Sequence, residues 1–197
     1  EVTELPFVPP TEDTSTCTTP FEPEFLALVD QAESMGIDLG CPLGSGADAT
    51  GAFQEYLANV DDPDFGLHYR SLMIWTTPYK LGEIYVVQGF DNSATSAVIK
   101  AAYDTWDESQ PEVPPDCAGM EVPSSYLMPI RGFGKLWCER QLWDTVGWAV
   151  STEKGVDLRV QHTEKGRVIK VSGPNMYSYL IAWRHNDGKA TVRIVSP

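Results

Sequence analysis

An interval of 107 residues carries the first part of this 197-residue chain onto the second. It sets Gly147 on Gly40 and Gln161 on Gln54, and it places Phe133, Leu136, Leu142 and Val146 on Leu26, Val29, Met35 and Leu39. A chain that repeats its apolar positions must bury one pattern twice, which confines it to folds built from two similar units. Past Gln161 the interval becomes 95: Met73-Ile74 falls on Val168-Ile169, Ile84-Tyr85-Val86-Val87 on Tyr179-Leu180-Ile181-Ala182, and Asp91-Asn92 on Asn186-Asp187. The twelve-residue difference is assigned to "LANVDDPDFGLH", an insertion of the kind a surface loop tolerates.

Each copy begins alike. "FLALVDQAESMG" has Phe25, Leu28, Val29, Ala32 and Met35 at helical spacing, with Gly36 placed to end the helix. "GFGKLWCERQLWDTVG" predicts a shorter helix before the turn into Gly147. Three short strands follow in each copy, with "TTPYKLGE" and "VSGPNMYS" as turns. "LMIW" is apolar throughout, so both its faces are expected to be covered. Between the copies, "SATSAVIKAAYDTWDES" predicts a helix striped by Val98, Ala102 and Trp106, followed by the proline-rich "QPEVPPDCAGMEVP". The expected fold class is α+β, mainly β. Two helix-plus-three-strand pseudo-repeats, 23–92 and 131–197, pack together; 93–130 connects them, and 1–22 forms an extended N-terminal strap.

Cys17, Cys41, Cys117 and Cys138 contain no C-x-x-C pair and lack zinc-ligand spacing, so an even count points to disulfides. Of the three pairings open to four cysteines, Cys17–Cys41 with Cys117–Cys138 is preferred, because each ties a Thr/Pro-rich segment to the nearest regular element. Oxidised cysteines imply export. The opening "EVTELPFVPP" has neither the basic nor the apolar region of a signal peptide, so the expected location is extracellular or cell-surface after removal of an export signal. No apolar run approaches the roughly 18 residues of a membrane span.

Charge is unevenly spread. Residues 1–126 hold 22 acidic and 3 basic side chains, whereas 127–197 hold 6 acidic and 11 basic. The net charge of −14 argues against nucleic acid as a partner. The opposite signs suit attraction between the two parts of the chain, or between copies of it.

The order Leu39-Gly40-x-Pro42, Phe53-Gln54, Leu72-Met73-Ile74-Trp75 and Ile84-Tyr85-Val86 resembles the LGFP-repeat family of exported bacterial cell-surface proteins. "RGFGKLW" running into "VGWA" is similar to the junction between such modules. The resemblance implies wall association or surface architecture, and carries over no catalytic residue. The second copy departs from the motif at Ala149, where its proline belongs, and Tyr56 and Thr163 stand near the place of the glycine that usually follows Phe-Gln.

No phosphate-binding glycine loop, G-x-S-x-G or H-x-x-x-H pattern is present, and His68, His162 and His185 do not cluster in sequence. Glu83 and the pair Asp104 and Glu108 are the first carboxylates to inspect for glycan hydrolysis, although solvated surface charge is the plainer reading. Asp61, Asp62 and Asp64 supply oxygen ligands of the type calcium takes, but their spacing departs from the twelve-residue calcium loop and reads first as an acidic insertion. Apart from calcium no cofactor is implied.

Trp75, Trp106, Trp137 and Trp148 fall on motif or stripe positions and read as core, whereas Tyr79, Trp143, Tyr177 and Trp183 fall at turns or strand ends and are the expected glycan-stacking residues. The leading expectation is an exported, non-catalytic surface or matrix protein binding cell-wall or extracellular glycan or neighbouring subunits. A wall-polysaccharide hydrolase is the second expectation. The third is a head-to-tail filament of copies of the chain, with the N-terminal strap laid on the next sheet edge.

Overall fold

The structure is a computed structural model describing residues 17–57, 70–76, 82–90 and 96–195. Helix α1 (Leu26–Ser34) precedes strands β1 (Ala47–Leu57), β2 (Arg70–Thr76), β3 (Glu83–Phe90) and β4 (Ser96–Tyr103). Helix α2 (Arg131–Glu139) then precedes the short β5 (Trp148–Ala149) and strands β6 (Lys154–His162), β7 (Gly166–Ser172), β8 (Ser178–Arg184) and β9 (Lys189–Val195). Both parts of the chain therefore lay down a helix and a four-strand antiparallel meander. That is one long strand more in each than the sequence led us to expect.

The two meanders join edge to edge. β1 pairs with β6 over seven positions and β4 with β9 over three, both antiparallel, and β1 also pairs with β2. Eight strands thus form a nearly closed barrel in the order β1-β2-β3-β4-β9-β8-β7-β6, mainly β as expected. A barrel of this strand number is just wide enough to be filled by side chains. Phe53, Ile74, Tyr85, Ile169, Tyr179 and Ile181 fill it, each at most 2% exposed.

Each helix covers the outer wall made by the other part of the chain. Leu28, Val29 and Ala32 of α1 pack with Val168, Leu180 and Ala182 of β7 and β8. Phe133, Leu136 and Trp137 of α2 pack with Tyr56, Met73 and Ile84 of β1, β2 and β3. "LMIW" is covered on both faces, since Leu72 and Ile74 enter the barrel while Met73 lies under α2. The exchange of helices locks the two parts together.

The 107-residue interval also relates contacts. The β1–β6 ladder is centred on Thr50 and Asp157, which are themselves 107 residues apart. Pro42 bridges Thr163 as Ala149 pairs with Tyr56, and the Leu43 amide donates to His162 O as the Val150 amide donates to Glu55 O, both at 2.9 Å. Gln54 donates to Ser151 O at 2.9 Å, and Gln161 donates to Gly44 O at 3.0 Å. Gly40 and Gly147 both take positive φ, 67° and 85°, after the buried Leu39 and Val146. Left-handed backbone there favours glycine.

Both disulfides pair as expected, Cys17–Cys41 and Cys117–Cys138, with Cα–Cα distances of 5.4 and 6.0 Å. Among the described residues no helix is long and apolar enough to cross a membrane. Six of the eight ion pairs among these residues join an acid from residues 1–126 to a base from 127–197, so the charge asymmetry is largely used inside one molecule.

Two expectations need correction. The segment expected as a helix over 93–109 contains strand β4, because it must bridge β3 to β9 and close the barrel. Its apolar spacing of four was ambiguous, since that interval keeps to one face of a strand as well as of a helix. The interval between β3 and β8 is 96, not 95: Thr76 pairs with Glu83 whereas Val171 pairs with Tyr179, so the second hairpin connection is one residue longer. A one-residue slip exchanges the two faces of a strand, which is why Leu180, not Tyr179, matches the outward-facing Ile84. The described end of the N-terminal strap lies on its own barrel, with Pro20 O and the Glu22 amide both bonded to Gln161.

A methyl group at Gly51 would lie 2.1 Å from the backbone oxygen of Trp75, at the β1–β2 pairing that closes the barrel. Gly51→Ala is expected to destabilise the protein by about 2–3 kcal/mol, the scale of overpacking, read as a lowered urea midpoint. Gly155→Ala, which meets nothing within 4 Å, is the control and should change little.

Candidate functional site

A cleft of about 410 Å³ lies on the outer wall of β1 and β2, beyond the N-terminus of α2. Its size falls within the ~300–1,000 Å³ range of small-molecule sites. Ala52, Trp75 and Phe133 give it an apolar floor, Trp106 a further aromatic surface, and Asp104, Asp107, Glu108 and Glu153 surround them with carboxylates.

The wall carrying Trp106 is built by local hydrogen bonds. The Asp104 amide donates to Gly82 O at 2.8 Å, extending the strand pairing one step past β4. Asp104 Oδ1 then accepts from the Trp106 amide at 3.0 Å, and Asp107 Oδ1 accepts from the Ser109 amide at 2.9 Å, giving two successive side-chain turns. Trp106 Nε1 donates to Pro111 O, and Lys135 of α2 holds the segment through Thr105 O and Gln110 Oε1. Two glycines make room: a methyl group at Gly82 would lie 2.3 Å from Trp75 Nε1, and one at Gly132 would lie 2.6 Å from Asp104 Oδ1.

The cleft has surplus negative charge. Arg131, the basic residue in its lining, is already held by Glu112, which takes Nη2 at 2.7 Å and whose backbone oxygen takes the Arg131 amide at 2.7 Å. Arg131 opens α2 with φ of +55°, a left-handed conformation costly for a side-chain-bearing residue. Glu153 has no hydrogen-bond or ion-pair partner among the described residues. Its pKa is raised, first by burial and then by Asp104 and Glu112, against a lowering by Arg131. Trp75 Nε1 is buried with no acceptor among the described residues. Among the described residues, then, Asp104 and Glu153 form no ion pair, although the Arg131 charge reaches Glu153, and the Trp75 indole has no acceptor.

The residues expected to bind glycan do not converge here. Trp143 packs edge-on against Trp137, at 5.2 Å between centroids, and belongs to the layer under α2. Trp183 is a correction: it is 7% exposed inside the barrel, because its alternation in β8 turns it inward with Tyr179 and Ile181. Tyr177 is 52% exposed and borders a separate recess of about 280 Å³ with Glu55, Arg70 and Lys154. Tyr79 and the calcium candidates Asp61, Asp62 and Asp64 lie outside the described residues. Asp104 and Glu108 do line the cleft, on an irregular segment rather than a helix. Trp75 and Trp106, read from the sequence as core, are the aromatic surfaces of the site. Glu153 and Arg131 were missed, since a lone Glu and a lone Arg in sequence carry no signal.

The barrel interior is not a second chamber. Near the start of β3, Glu83 accepts from Tyr85 Oη and lies 3.5 Å from Arg167 of β7, across the barrel. The Arg167 guanidinium stacks on Tyr85 and Trp183, at 5.3 and 5.1 Å, and its Nε donates to His185 Nε2 at 3.1 Å. At the other end Tyr179 of β8 donates to Glu55 of β1. Cross-barrel polar contacts therefore stand at both ends. Glu83, a carboxylate singled out in the sequence, is committed to one of them.

Comparison of the chain with family models, curated proteins and solved structures finds no match to any of them.

Two titrations follow. Arg131 draws the Glu153 pKa down, so Arg131→Gln should raise it further while Asp104→Asn lowers it, as followed by carboxyl NMR across pH 3–7 (roughly the range around a raised Glu). His162 and His185 have lowered pKa values, through burial first and the Arg167 charge second. The unfolded chain then binds the extra protons first, so this contribution to stability is intact above about pH 6.5 and is lost as pH falls below it through the folded values. Urea midpoints should decline between pH 7 and 5.5 (roughly that window), and less steeply in His185→Gln.

Proposed function

We propose that the protein is an exported, disulfide-stapled barrel that binds glycan in the cleft at Trp75, Trp106, Asp104 and Glu153, without turning it over. The observation that carries this reading is the aromatic floor flanked by open carboxylates. Sugar rings stack their C–H faces on aromatic side chains while carboxylates accept from their hydroxyls, and a ring or hydroxyl oxygen supplies the acceptor that the Trp75 indole lacks. The two disulfides and the absence of a membrane-crossing helix among the described residues are compatible with an extracellular location.

Within this proposal the chain is a duplicated unit, and the LGFP-like motif marks the turn at which each unit begins. The contacts related by the 107-residue interval support the duplication. A role at a wall or in an extracellular matrix rests on the resemblance of the Leu39-Gly40-x-Pro42 and Phe53-Gln54 motifs.

Titration of isolated wall polysaccharide and its oligomers against the protein tests binding. Trp106→Ala is expected to weaken it by about 1–1.5 kcal/mol, roughly five- to tenfold, the scale of one aromatic stacking contact. Wild-type and Trp106→Ala proteins binding equally would remove the cleft from the account.

A hydrolase is the second reading, favoured by one observation: Glu153 holds its proton to higher pH than an ordinary glutamate and shares the cleft with Asp104, as a general acid with a partner carboxylate requires. Release of reducing ends, abolished by Glu153→Gln, would select it over binding alone. The filament reading is not carried forward, because β1–β2 pairing closes the sheet and residues 20–22 bond to their own β6.

A further inference from the structure

The two walls that the repeat relates differ in charge and in aromatic lining. The intervals of 107 and 95 residues place Ala52 opposite Arg159, Trp75 opposite Lys170, and Glu153 opposite Gly46. On that opposite wall the recess of about 330 Å³ bordered by Glu24, Lys170, Leu180 and Arg193 has no aromatic lining, and its acid is paired with a base. Arg159 is gripped by Glu22, with Nε to Oε2 at 2.9 Å and Nη2 to Oε1 at 2.6 Å, and Lys170 is gripped by Glu24. A methyl group at Gly46 would lie 2.8 Å from Glu22 Oε2 and 2.9 Å from Arg159 Nε, so a side chain there would have to displace that ion pair. One wall carries its own guanidinium and ammonium. The other has the methyl of Ala52 and the indole of Trp75 in their places, with Pro129 and Arg131 opposite Glu22 and Glu24, and draws its carboxylates Asp104, Glu108 and Glu153 from other positions.

We infer that the ligand brings the missing cation: the cleft takes a glycan bearing free, protonated amino groups, its ammonium standing among Asp104, Glu108 and Glu153 and its ring on Trp75 and Trp106. This rests on the glycan reading above and specifies the class of sugar. Three features of the cleft fit a cationic sugar better than a neutral one or a bare ion. Its four carboxylates outnumber the cations near them, since Arg131 is paired with Glu112 and the Lys135 ammonium is turned to Thr105 O and Gln110 Oε1. Aromatic faces attract an ammonium held over them, by an added ~0.5–2 kcal/mol. Among the described residues no three His, Cys, Asp or Glu side chains come close enough to hold a metal ion, so the negative charge is spread over a distance that an extended organic cation spans. The raised pKa of Glu153 has the same cause, a carboxylate kept from water beside other carboxylates.

The test uses glucosamine oligosaccharides, their fully N-acetylated counterparts and neutral glucose oligosaccharides of equal length, titrated calorimetrically into the full chain at pH 6. We expect the free-amine form to bind at least tenfold more tightly than the other two. Asp104→Asn and Glu153→Gln should each cost about five- to tenfold for the amine form and leave the neutral forms within twofold. Asp30→Asn combined with Glu33→Gln, on the exposed face of α1, controls for general attraction to an acidic protein and should change nothing. Unaltered melting temperatures would establish that the cleft variants fold.

Equal affinity for amine and N-acetyl forms, or an amine affinity that falls as much with the α1 variants as with the cleft variants, would overturn the inference while leaving glycan binding in place. Failure of all three sugars to bind, with no change in tryptophan fluorescence, would overturn the glycan reading and the inference together.

Discussion

Everything in this fold depends on β1, the strand that joins the two meanders by pairing with β6 through its first part and with β2 through its second. Its first seven residues pair with β6 on one side, and from Gly51 onward it pairs with β2 on the other. Beyond Phe53 the β6 partner has ended, leaving backbone groups that cannot be buried unpaired. Residues 149–151 supply the replacement: Ala149 pairs with Tyr56, the Val150 amide reaches Glu55 O, and the Ser151 hydroxyl accepts from the Glu55 amide. Gln54 fixes that patch by donating to Ser151 O. Being 3% exposed, it is a buried amide with both ends used, since its Oε1 accepts from Tyr56 Oη at 2.7 Å. Gln161 does the same for the end of β6 with Pro20, Glu22 and Gly44. The Phe-Gln and Val-Gln pairs are thus the places where one barrel strand changes partners.

This explains which parts of the fold were legible in the sequence. Gly40, Gly147, Gln54 and Gln161 stood out because each answers a requirement that only one or two residue types meet: left-handed backbone in the first pair, a buried donor and acceptor on one side chain in the second. The cysteine pairing was legible for a similar reason, since each bridge joins segments already close along the chain. Strand β4 was not legible. Its pairing with β9 spans about half the chain, and nothing in "SATSAVIKAAY" announces a partner that distant. The 96-residue relation between β3 and β8 was hidden likewise, because apolar residues occupy both faces of these covered strands and a slip of one still aligns apolar with apolar.

The cleft was half legible. Asp104 and Glu108 were singled out as carboxylates, but on a helix that does not form. Trp75 and Trp106 were assigned to the core because motif positions are usually buried, and Trp75 is indeed flanked by core residues of β1 and β3. Its place at the rim comes from the end of α2: the helix covers Met73 and stops short of Trp75, leaving the indole as the floor of an open space. Where a helix ends over a sheet is decided by packing between distant segments, which periodicity does not encode.

Departures from local consistency collect in this one place. Arg131 holds left-handed backbone, Glu153 is desolvated without a partner, and the Trp75 indole N–H has no acceptor, all within one cleft. Each is unfavourable for folding alone, and each has an opposite number on the far wall that avoids the difficulty: Glu24 pairs with Lys170, Gly46 carries no side chain, and Lys170 reaches solvent. The wall at Arg159 and Lys170 is closed by ion pairs with Glu22 and Glu24, whereas among the described residues the cleft wall pairs only Arg131 with Glu112 and leaves Asp104 and Glu153 outside any ion pair. Gathering carboxylates in a half-buried cleft contributes nothing to the fold, because each disfavours the charged form of the next, as the raised pKa of Glu153 reports. A ligand that restores the cation and accepts from the indole reverses the deficit on binding, so the instability of the free cleft becomes part of the affinity of the occupied one.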